Sequence, residues 1–135
     1  RFTDFYSTAP YCTPARAGLL TGRYAVHAGL PHIIFPDSSP FNWLQRVNQL
    51  PTRLPADEIT LAEILRAVGY ATAAIGKWHL GHRSPSLPND LGFEEFFGLL
   101  HSNDMPGQGL WHNDRVVEAE PIDQSHLLGR RAAHQ

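Results

Sequence analysis

The fold class can be read from the stretch Thr60–Ile75, TLAEILRAVGYATAAI. Thr60 and Glu63 have the spacing of a capping box, the side-chain pattern that opens many helices. Apolar residues then recur at helical spacing, and Gly69 is typical of a helix end. The recurring residues are Leu61, Ile64, Leu65 and Val68. The pattern therefore predicts a helix that begins after Thr60 and ends at Gly69.

A strand is predicted directly after this helix. Residues 70–75 are apolar without alternation, which is typical of a strand that is covered on both faces. A helix, a glycine turn and a buried strand together indicate an α/β sheet with crossover connections. In such sheets ligands bind beyond the carboxyl ends of strands, and the segment GKWHLG at Gly76–Gly81 occupies that place.

Upstream of this stretch the sequence predicts one short helix and a long excursion. The aromatic-rich segment Phe2–Tyr6 fits a strand or the end of one. Thr13 is suitable as the N-cap of a helix and Pro14 as its first residue. Gly22 is suitable for the C-terminal end of the same helix. Residues 29–55 contain five prolines, and their apolar residues do not recur at a regular spacing. They are therefore predicted to form a long loop that lies on the surface or has a function.

Downstream, the pattern predicts shorter elements. Residues 91–98 fit a turn followed by a short aromatic element, and Arg115–Glu118 fits a strand. Asp123 or Ser125 is a candidate cap for a further helix. Few strands and one unfinished helix are recognisable, so residues 1–135 are expected to form part of a domain that is truncated at both ends.

Composition excludes several classes of protein. The chain has 135 residues, 42% of them apolar and 18% charged, which is typical of a globular piece. Its apolar runs all fall well short of the ~18 residues that a spanning helix needs. With a net charge of −2, the chain lacks the excess of positive charge that is typical of proteins that bind nucleic acid or an anionic membrane surface. With Cys12 as the single cysteine, an internal disulfide and an all-cysteine zinc site are excluded.

The string CTPAR at Cys12–Arg16 is the first candidate site. Cys12 lies just before a predicted helix, where unpaired N–H groups favour an anion. Arg16, four residues on, projects from a similar face and can reach the same anion. In a tyrosine-phosphatase loop the arginine follows the cysteine by six residues, and here that position is Gly18. From the residues alone, a buried structural cysteine beside a surface arginine is an equal alternative.

The longer pattern resembles the signatures of the type I sulfatases. C-x-P-x-R at Cys12–Arg16 is followed by LLTGR at residues 19–23, and the second signature, GKWHLG, is unbroken at Gly76–Gly81. HSND at residues 101–104 resembles the serine-containing loop of the arylsulfatase A-like branch. The resemblance implies an alkaline-phosphatase-like α/β sandwich with a central mixed sheet flanked by helices, of which this chain is an N-terminal part. It also implies that residues 1–135 are a partial sulfatase catalytic domain and that the whole protein hydrolyses sulfate esters.

The resemblance further implies a role for each site residue. In the family the motif cysteine, here Cys12, becomes formylglycine, whose hydrate attacks sulfur with one hydroxyl and expels sulfate with the other. Arg16 would bind this hydrate and offset negative charge at the site. Lys77 would bind the sulfate, and His79 would act as general acid or base or orient the diol. Ser102 would donate a hydrogen bond to the sulfate.

The family also implies a divalent cation, with Ca²⁺ as the expected ion. Hard carboxylate oxygens suit such an ion. Its acidic ligands are expected before Arg1 and after Gln135, so the formylglycine oxygen at Cys12 would be this chain's one metal contact. The isolated chain is therefore expected to be inactive.

The implied partners are a small-molecule or glycan sulfate ester and the formylglycine-generating enzyme, without nucleic acid or a membrane span. Periplasmic, secreted or lysosomal location is expected from the family. Two alternatives stay open. One is a formylglycine-dependent phosphonate or phosphate monoester hydrolase, and the other is an inactive fragment or binding module that retains the motifs. The loop from Pro31 to Pro55 is expected to shape the leaving-group pocket.

The other histidines are assigned smaller roles. The spacing His79-x-x-His82 is that of a metal pair, but further ligands are not placed, so His82 is predicted to be a turn residue. The remaining histidines are predicted to be surface or loop residues, namely His27, His32, His101, His112, His126 and His134. Of these, His101 is expected to line the pocket because it adjoins Ser102. Trp78 is predicted to pack beneath the loop that aims its neighbours.

Overall fold

The structure is a computed structural model that describes residues 1–105 and 109–118. The helices are α1 (Cys12–Thr21), α2 (Pro40–Val47) and α3 (Leu61–Ala67). The strands are β1 (Ala73–Lys77), β2 (Glu95–Leu99), β3 (Leu110–His112) and β4 (Arg115–Glu118). The α/β class is confirmed. The candidate cap at Asp123 or Ser125 lies outside the described residues, as do His126 and His134.

The strands form one mixed sheet in the order β1-β2-β3-β4. β1 and β2 are parallel, with Lys77 opposite Leu99, whereas β3 and β4 extend the sheet antiparallel. The parallel pair continues past its last residues, since the Trp78 N–H donates to the Leu99 carbonyl at 2.8 Å and the His79 N–H to the Leu100 carbonyl at 3.0 Å. The segments that follow β1 and β2 therefore lie side by side at one end of the sheet.

A close approach of two glycines sets the spacing of this parallel pair. Gly76 on β1 lies opposite Gly98 on β2. A Cβ atom on Gly98 would lie 1.8 Å from the Gly76 carbonyl oxygen, far inside any tolerable contact. Only glycine at position 98 therefore permits this approach of the two backbones.

The helix predicted after Thr60 is confirmed. The Thr60 hydroxyl accepts the Glu63 N–H at 3.2 Å, and the Glu63 carboxylate accepts the Thr60 N–H at 2.8 Å. Gly69 follows the last turn with φ of 90°, a left-handed conformation that suits glycine. The Thr60 hydroxyl also donates to the buried Leu91 carbonyl at 2.7 Å, which fastens the start of α3 to the segment before β2.

The strand prediction was wrong in position and in burial. β1 begins at Ala73 and runs to Lys77, three residues later than the apolar run suggested. Ile75 keeps 83% of its surface exposed. Within the part of the chain that the structure describes, β1 is an edge strand with β2 as its one neighbour, so its outer side is uncovered.

Two predictions for residues 1–22 need correction. Phe2–Tyr6 is irregular and exposed, and does not form a strand. α1 begins at Cys12 after Tyr11, so Thr13 lies inside the helix, where its hydroxyl accepts the Ile34 N–H at 3.3 Å. The predicted stop at Gly22 is confirmed, with φ of 67° and its N–H bound to the helix.

The predicted loop at residues 29–55 contains helix α2. The Ser39 side chain accepts the Phe41 N–H at 3.3 Å, and Pro40 occupies the first turn, where its missing N–H costs nothing. Several prolines in one stretch favour a loop, but a proline in the first turn, as here, favours the start of a helix.

The buried apolar core of the described residues lies beneath the segment after β1. It consists of Ala17, Ala28, Leu30, Ile34, Leu54, Trp78, Leu80, Leu91, Phe96 and Leu100. Trp78 packs under that segment as predicted, with its indole N–H donating to the Ser86 carbonyl at 2.9 Å. The helices in the described ranges are all too short or too polar to cross a membrane.

Candidate active site

The N-terminus of α1 carries Cys12 and Arg16. Cys12 is partly exposed and, with Arg16, lines a cavity of about 320 Å³ that the segment from Phe5 to Thr8 closes on one side. The Arg16 guanidinium donates a hydrogen bond to the main-chain carbonyl of Lys77. Burial lowers the pKa of Arg16 and the charge of Cys12 opposes that shift, yet a guanidinium stays protonated in proteins.

Lys77, Ser102 and Asp104 form a hydrogen-bonded chain across the ends of β1 and β2. The Lys77 ammonium donates to the Ser102 hydroxyl at 2.9 Å. A hydrogen bond from the Ser102 side chain holds the pKa of Asp104 below its ordinary value, and burial opposes this only in part. The serine thus joins a cation to a carboxylate. Asp104 was not singled out from the sequence, although it follows Ser102 by two residues.

His79 is fully buried at the carboxyl end of β1, with φ of 63°. Residues other than glycine rarely adopt that left-handed conformation. Its Nε2 atom lies 2.8 Å from the Ile34 carbonyl oxygen. Because a carbonyl only accepts, Nε2 carries the proton and Nδ1 keeps its lone pair in the neutral ring. Among the described residues Nδ1 has no partner.

Burial also sets the charge of His79. It lowers the pKa of His79 from 6.5 to about 4, although the hydrogen bond to Ile34 opposes the shift. The neighbouring charges of Lys77 and Arg16 lower the pKa further, whereas Asp104 raises it. His79 is therefore neutral at neutral pH and offers a proton acceptor at Nδ1.

His101 is a loop residue, as predicted, but it is buried in the bend that follows β2. Its ring lies edge-on to His79, with ring centroids 5.6 Å apart, and against His82 at 4.8 Å. His82 in turn approaches the Asp37 carboxylate at 3.3 Å. His101 lines a cavity with Asp37 and His82, and this cavity is not the one that Cys12 and Arg16 line. The spacing in sequence gave no sign that three imidazoles would meet.

Asp37 connects this histidine cluster with helix α2. Its carboxylate is held by Arg46 on α2 at 2.8 Å and by Arg83 in the segment after β1. Burial opposes ionisation of Asp37, but the hydrogen bond from His82 and the two arginines hold its pKa below the ordinary value. The excursion of residues 29–55 is thereby tied to the site.

The histidine and acidic side chains of the described residues do not form a metal centre. Within residues 1–105 and 109–118, no three histidine, cysteine or acidic side chains are grouped so that they could hold an ion. The metal-pair alternative for His79 and His82 therefore gains no further ligand from this part of the chain.

The residues predicted from the sequence do converge. Arg16 is bound to the Lys77 main chain, Lys77 is bound to Ser102, and His79 lies within the field of both cations. Cys12 shares its cavity with Arg16. Two cations, a hydroxyl and a neutral imidazole are thus linked in one cluster, and Arg16 connects that cluster with the potential nucleophile. Such a cluster suits an anionic group that gains charge as it reacts.

Comparison with known proteins identifies the family. The sequence model of the sulfatase family matches residues 1–124. The chain belongs to the sulfatase family. Mouse arylsulfatase G is 42% identical over an alignment of 130 residues, which covers 84% of this chain and 22% of the relative. Bovine arylsulfatase A is 46% identical over 114 residues, which cover 82% of this chain and 20% of the relative.

Solved structures agree with this assignment. The crystal structure of Ps i-CgsB superposes with a TM-score of 0.67 at 27% identity, and covers 94% of this chain and 31% of that one. The fold is accordingly that of the alkaline-phosphatase-like sulfatases. The chain spans only about a fifth of the length of the arylsulfatases it matches.

Proposed function

We propose that the protein containing this chain hydrolyses sulfate esters. The observation that carries the proposal is the Lys77–Ser102 hydrogen bond, with Arg16 bound to the main chain of the same lysine. This arrangement fixes the guanidinium of Arg16 in the cavity of Cys12 and ties it to the residue that carries the ammonium. A sulfate ester carries one negative charge and develops more on the transferring oxygens, so fixed cations stabilise its transition state more than its ground state.

The nucleophile is proposed to be formylglycine made from Cys12. When hydrated, that group supplies one hydroxyl to attack sulfur and a second to drive the release of sulfate. A thiol has no second hydroxyl, so unmodified Cys12 would not support this chemistry. Arg16, in the same cavity, is placed to hold the hydrate by hydrogen bonding and to offset its charge.

The other residues bind the substrate and move protons. Lys77 binds a sulfate oxygen as a point cation, and Ser102 donates to a second oxygen after its hydroxyl turns away from Asp104. His79 accepts a proton at Nδ1, because its Nε2 proton is held by Ile34. A neutral imidazole with one nitrogen that has no partner among the described residues fits general-base catalysis.

A divalent cation, Ca²⁺ being the expected ion, is proposed for the full-length enzyme from the family alone. The described residues do not fit a metal centre by themselves, since no three potential ligands are grouped there. No step above runs through the ion, and formylglycine at Cys12 would be the one contact from this chain.

The proposed partners are a small-molecule or glycan sulfate ester and a formylglycine-generating enzyme. A periplasmic, secreted or lysosomal location is proposed, as expected for the family. Relatives at 42% and 46% identity are arylsulfatases, which favours sulfur over phosphorus as the reacting atom. A phosphonate or phosphate monoester hydrolase remains the second candidate, because the same cations would serve a phosphoryl group.

The proposal is tested with the full-length protein, co-expressed with a formylglycine-generating enzyme. We expect turnover of 4-nitrophenyl sulfate to exceed that of 4-nitrophenyl phosphate, and Cys12→Ala to abolish it. The intact mass of the peptide around Cys12 should show loss of the thiol. An active preparation whose Cys12 is fully alkylated by iodoacetamide would contradict the nucleophile, and a preference for the phosphate ester would favour the second candidate.

A further inference from the structure

The His79 ring needs a second contact to fix its direction. Its Nε2 atom lies 2.8 Å from the Ile34 carbonyl oxygen, but a ring held by one hydrogen bond can still turn about the N–H···O axis. The Nδ1 atom, the proposed proton acceptor, would move with that rotation. The backbone of His79 also needs support, because φ of 63° is costly for a residue other than glycine and persists only where surrounding contacts enforce it.

The His101 ring supplies such a contact. It lies edge-on to the His79 ring, with centroids 5.6 Å apart and ring planes at 80°. The main chain brings the two residues together, because the His79 N–H donates at 3.0 Å to the carbonyl of Leu100, the residue before His101. His101 thus contacts His79 through its ring and is linked to it through the main chain.

Packing holds the His101 ring in place. Only 4% of the residue's surface is exposed, and both ring nitrogens are buried without a hydrogen-bond partner among the described residues. Buried polar atoms are normally paired, so these nitrogens do not explain how the ring is held. The His82 ring packs against His101 at a centroid distance of 4.8 Å. His101 therefore lies between two other imidazoles and acts by its shape.

Asp37 anchors the outer imidazole of this cluster. The His82 Nε2 atom lies 3.3 Å from the Asp37 carboxylate. A carboxylate accepts hydrogen bonds, so it favours the His82 tautomer that carries its proton on Nε2. Arg46 donates to the same carboxylate at 2.8 Å, and Arg83 also binds it. Isolated surface ion pairs contribute little, but several charges on one carboxylate form a network that fixes its position.

We propose that His101 is a positioning residue: backed by His82 and Asp37, its ring fixes the orientation of His79 and thereby the direction of the Nδ1 atom that accepts the proton. Asp37 and His82 act on His79 through His101. This inference rests on the proposed sulfatase function, and it adds a carboxylate of residues 29–55 to the groups that organise the proposed site.

The first test compares two replacements of His101 in the full-length protein, with kcat expressed per mole of formylglycine. The substrate is phenyl sulfate, whose weakly acidic phenol depends strongly on proton transfer. His101→Phe keeps a ring of similar shape and should retain kcat within about threefold of wild type. His101→Ala removes the ring that orients His79, so kcat should fall roughly tenfold or more, which is part of what a general base contributes. His112→Ala, which truncates an exposed histidine on β3, is the matched control and should change kcat by less than about twofold.

The second test asks whether His101 acts through His79. Residues that act through one another show non-additive losses in a double-mutant cycle. His101→Ala should therefore lower kcat by less than about twofold when it is added to His79→Ala, although it lowers kcat roughly tenfold by itself. A loss of stability alone would instead affect both backgrounds equally.

Asp37 allows a third test that leaves the core intact, because its side chain keeps 34% of its surface exposed. Asp37→Leu removes the acceptor for His82 and should lower kcat roughly three- to tenfold, whereas Asp37→Asn keeps an accepting oxygen and should lose less. Asp37→Leu should cause no further loss when it is added to His101→Ala. Asp57→Leu, at an exposed carboxylate before α3, is the matched control and should change kcat by less than about twofold.

Three results would overturn the inference. A His101→Phe enzyme as damaged as His101→Ala would assign the effect to the ring nitrogens. Losses that multiply in the His79→Ala background would separate His101 from His79. Unchanged kcat per formylglycine in His101→Ala or Asp37→Leu would show that these side chains only stabilise the fold. Failure of the proposed function itself is distinct, since it would abolish 4-nitrophenyl sulfate turnover in the wild type.

Discussion

Arg16 donates a hydrogen bond to the main-chain carbonyl of Lys77, so the cation of α1 is fastened to the last residue of β1. The two residues lie 61 positions apart in the sequence. Their contact fixes the distance between the helix that presents Cys12 and the strand end that presents the ammonium. A site built on elements that are tied together in this way is already organised before an anion arrives.

Removal of the Lys77 ammonium is expected to damage catalysis strongly. Lys77→Ala in the full-length protein should lower kcat/KM for an aryl sulfate by roughly 10²-fold or more, because a preorganised transition-state contact is lost. Steady-state kinetics with 4-nitrophenyl sulfate measures this. Arg66→Ala, which removes an exposed cation in the last turn of α3, is the control and should remain within twofold of wild type. A Lys77→Ala enzyme as active as that control would rule out the proposed sulfate contact.

His79 and His82 are expected to differ sharply. His79→Ala should lower kcat and flatten one limb of the pH profile, and its deficit should shrink for phenols that are good leaving groups. His82→Ala should cost less than tenfold, because His82 contacts Asp37 and His101 and is not placed among the reacting groups. Equal damage from the two variants would reopen the metal-pair interpretation.

Acidification is expected to destabilise the fold through the buried histidines. Burial lowers the pKa of His79 to about 4 and that of His101 to about 3, from 6.5 in the unfolded chain. Between pH 6.5 and pH 4 the unfolded state therefore binds more protons, so this stability is complete above pH 6.5 and is lost as the pH falls. The Tm should decline from pH 7 to pH 5, and His101→Phe should decline less steeply than His112→Phe. Parallel Tm profiles for the two variants would contradict this account.

The capping box of α3 is expected to contribute measurably to stability. Thr60→Ala removes the hydroxyl that accepts the Glu63 N–H and donates to the buried Leu91 carbonyl. The free energy of unfolding should therefore fall by about 1–3 kcal/mol. Urea unfolding monitored by circular dichroism measures the change. Thr60→Ser keeps the hydroxyl and should lose less than half as much, whereas an equal loss would assign the effect to packing of the methyl group.

Local patterns predicted the ends of helices better than the position of strands. The capping box at Thr60 and the stop at Gly22 involve neighbours in sequence, so both were recognisable. The position of β1 depends on its pairing with β2, and the apolar run alone could not fix it. Helix α2 was missed because Ser39 and Pro40 can begin either a turn or a helix.

Long-range contacts explain what was missed at the site. The motif residues were recognisable because fixed spacing in sequence accompanies their chemistry. Asp37 and His101 are separated by 64 positions, and their meeting through His82 depends on the fold of the excursion and on the register of β1 and β2. No periodicity in a single sequence encodes such a meeting.

The attachment of Asp37 has a consequence for engineering substrate preference. The excursion of residues 29–55 would normally be treated as an exchangeable loop, to be replaced by its counterpart from another sulfatase. Asp37, however, is held by Arg83 and His82, which lie outside that loop. A transplanted loop without this carboxylate would leave Arg83 and His82 without their partner beside His101. A successful chimaera would therefore have to take both the loop and the segment after β1 from the same sulfatase.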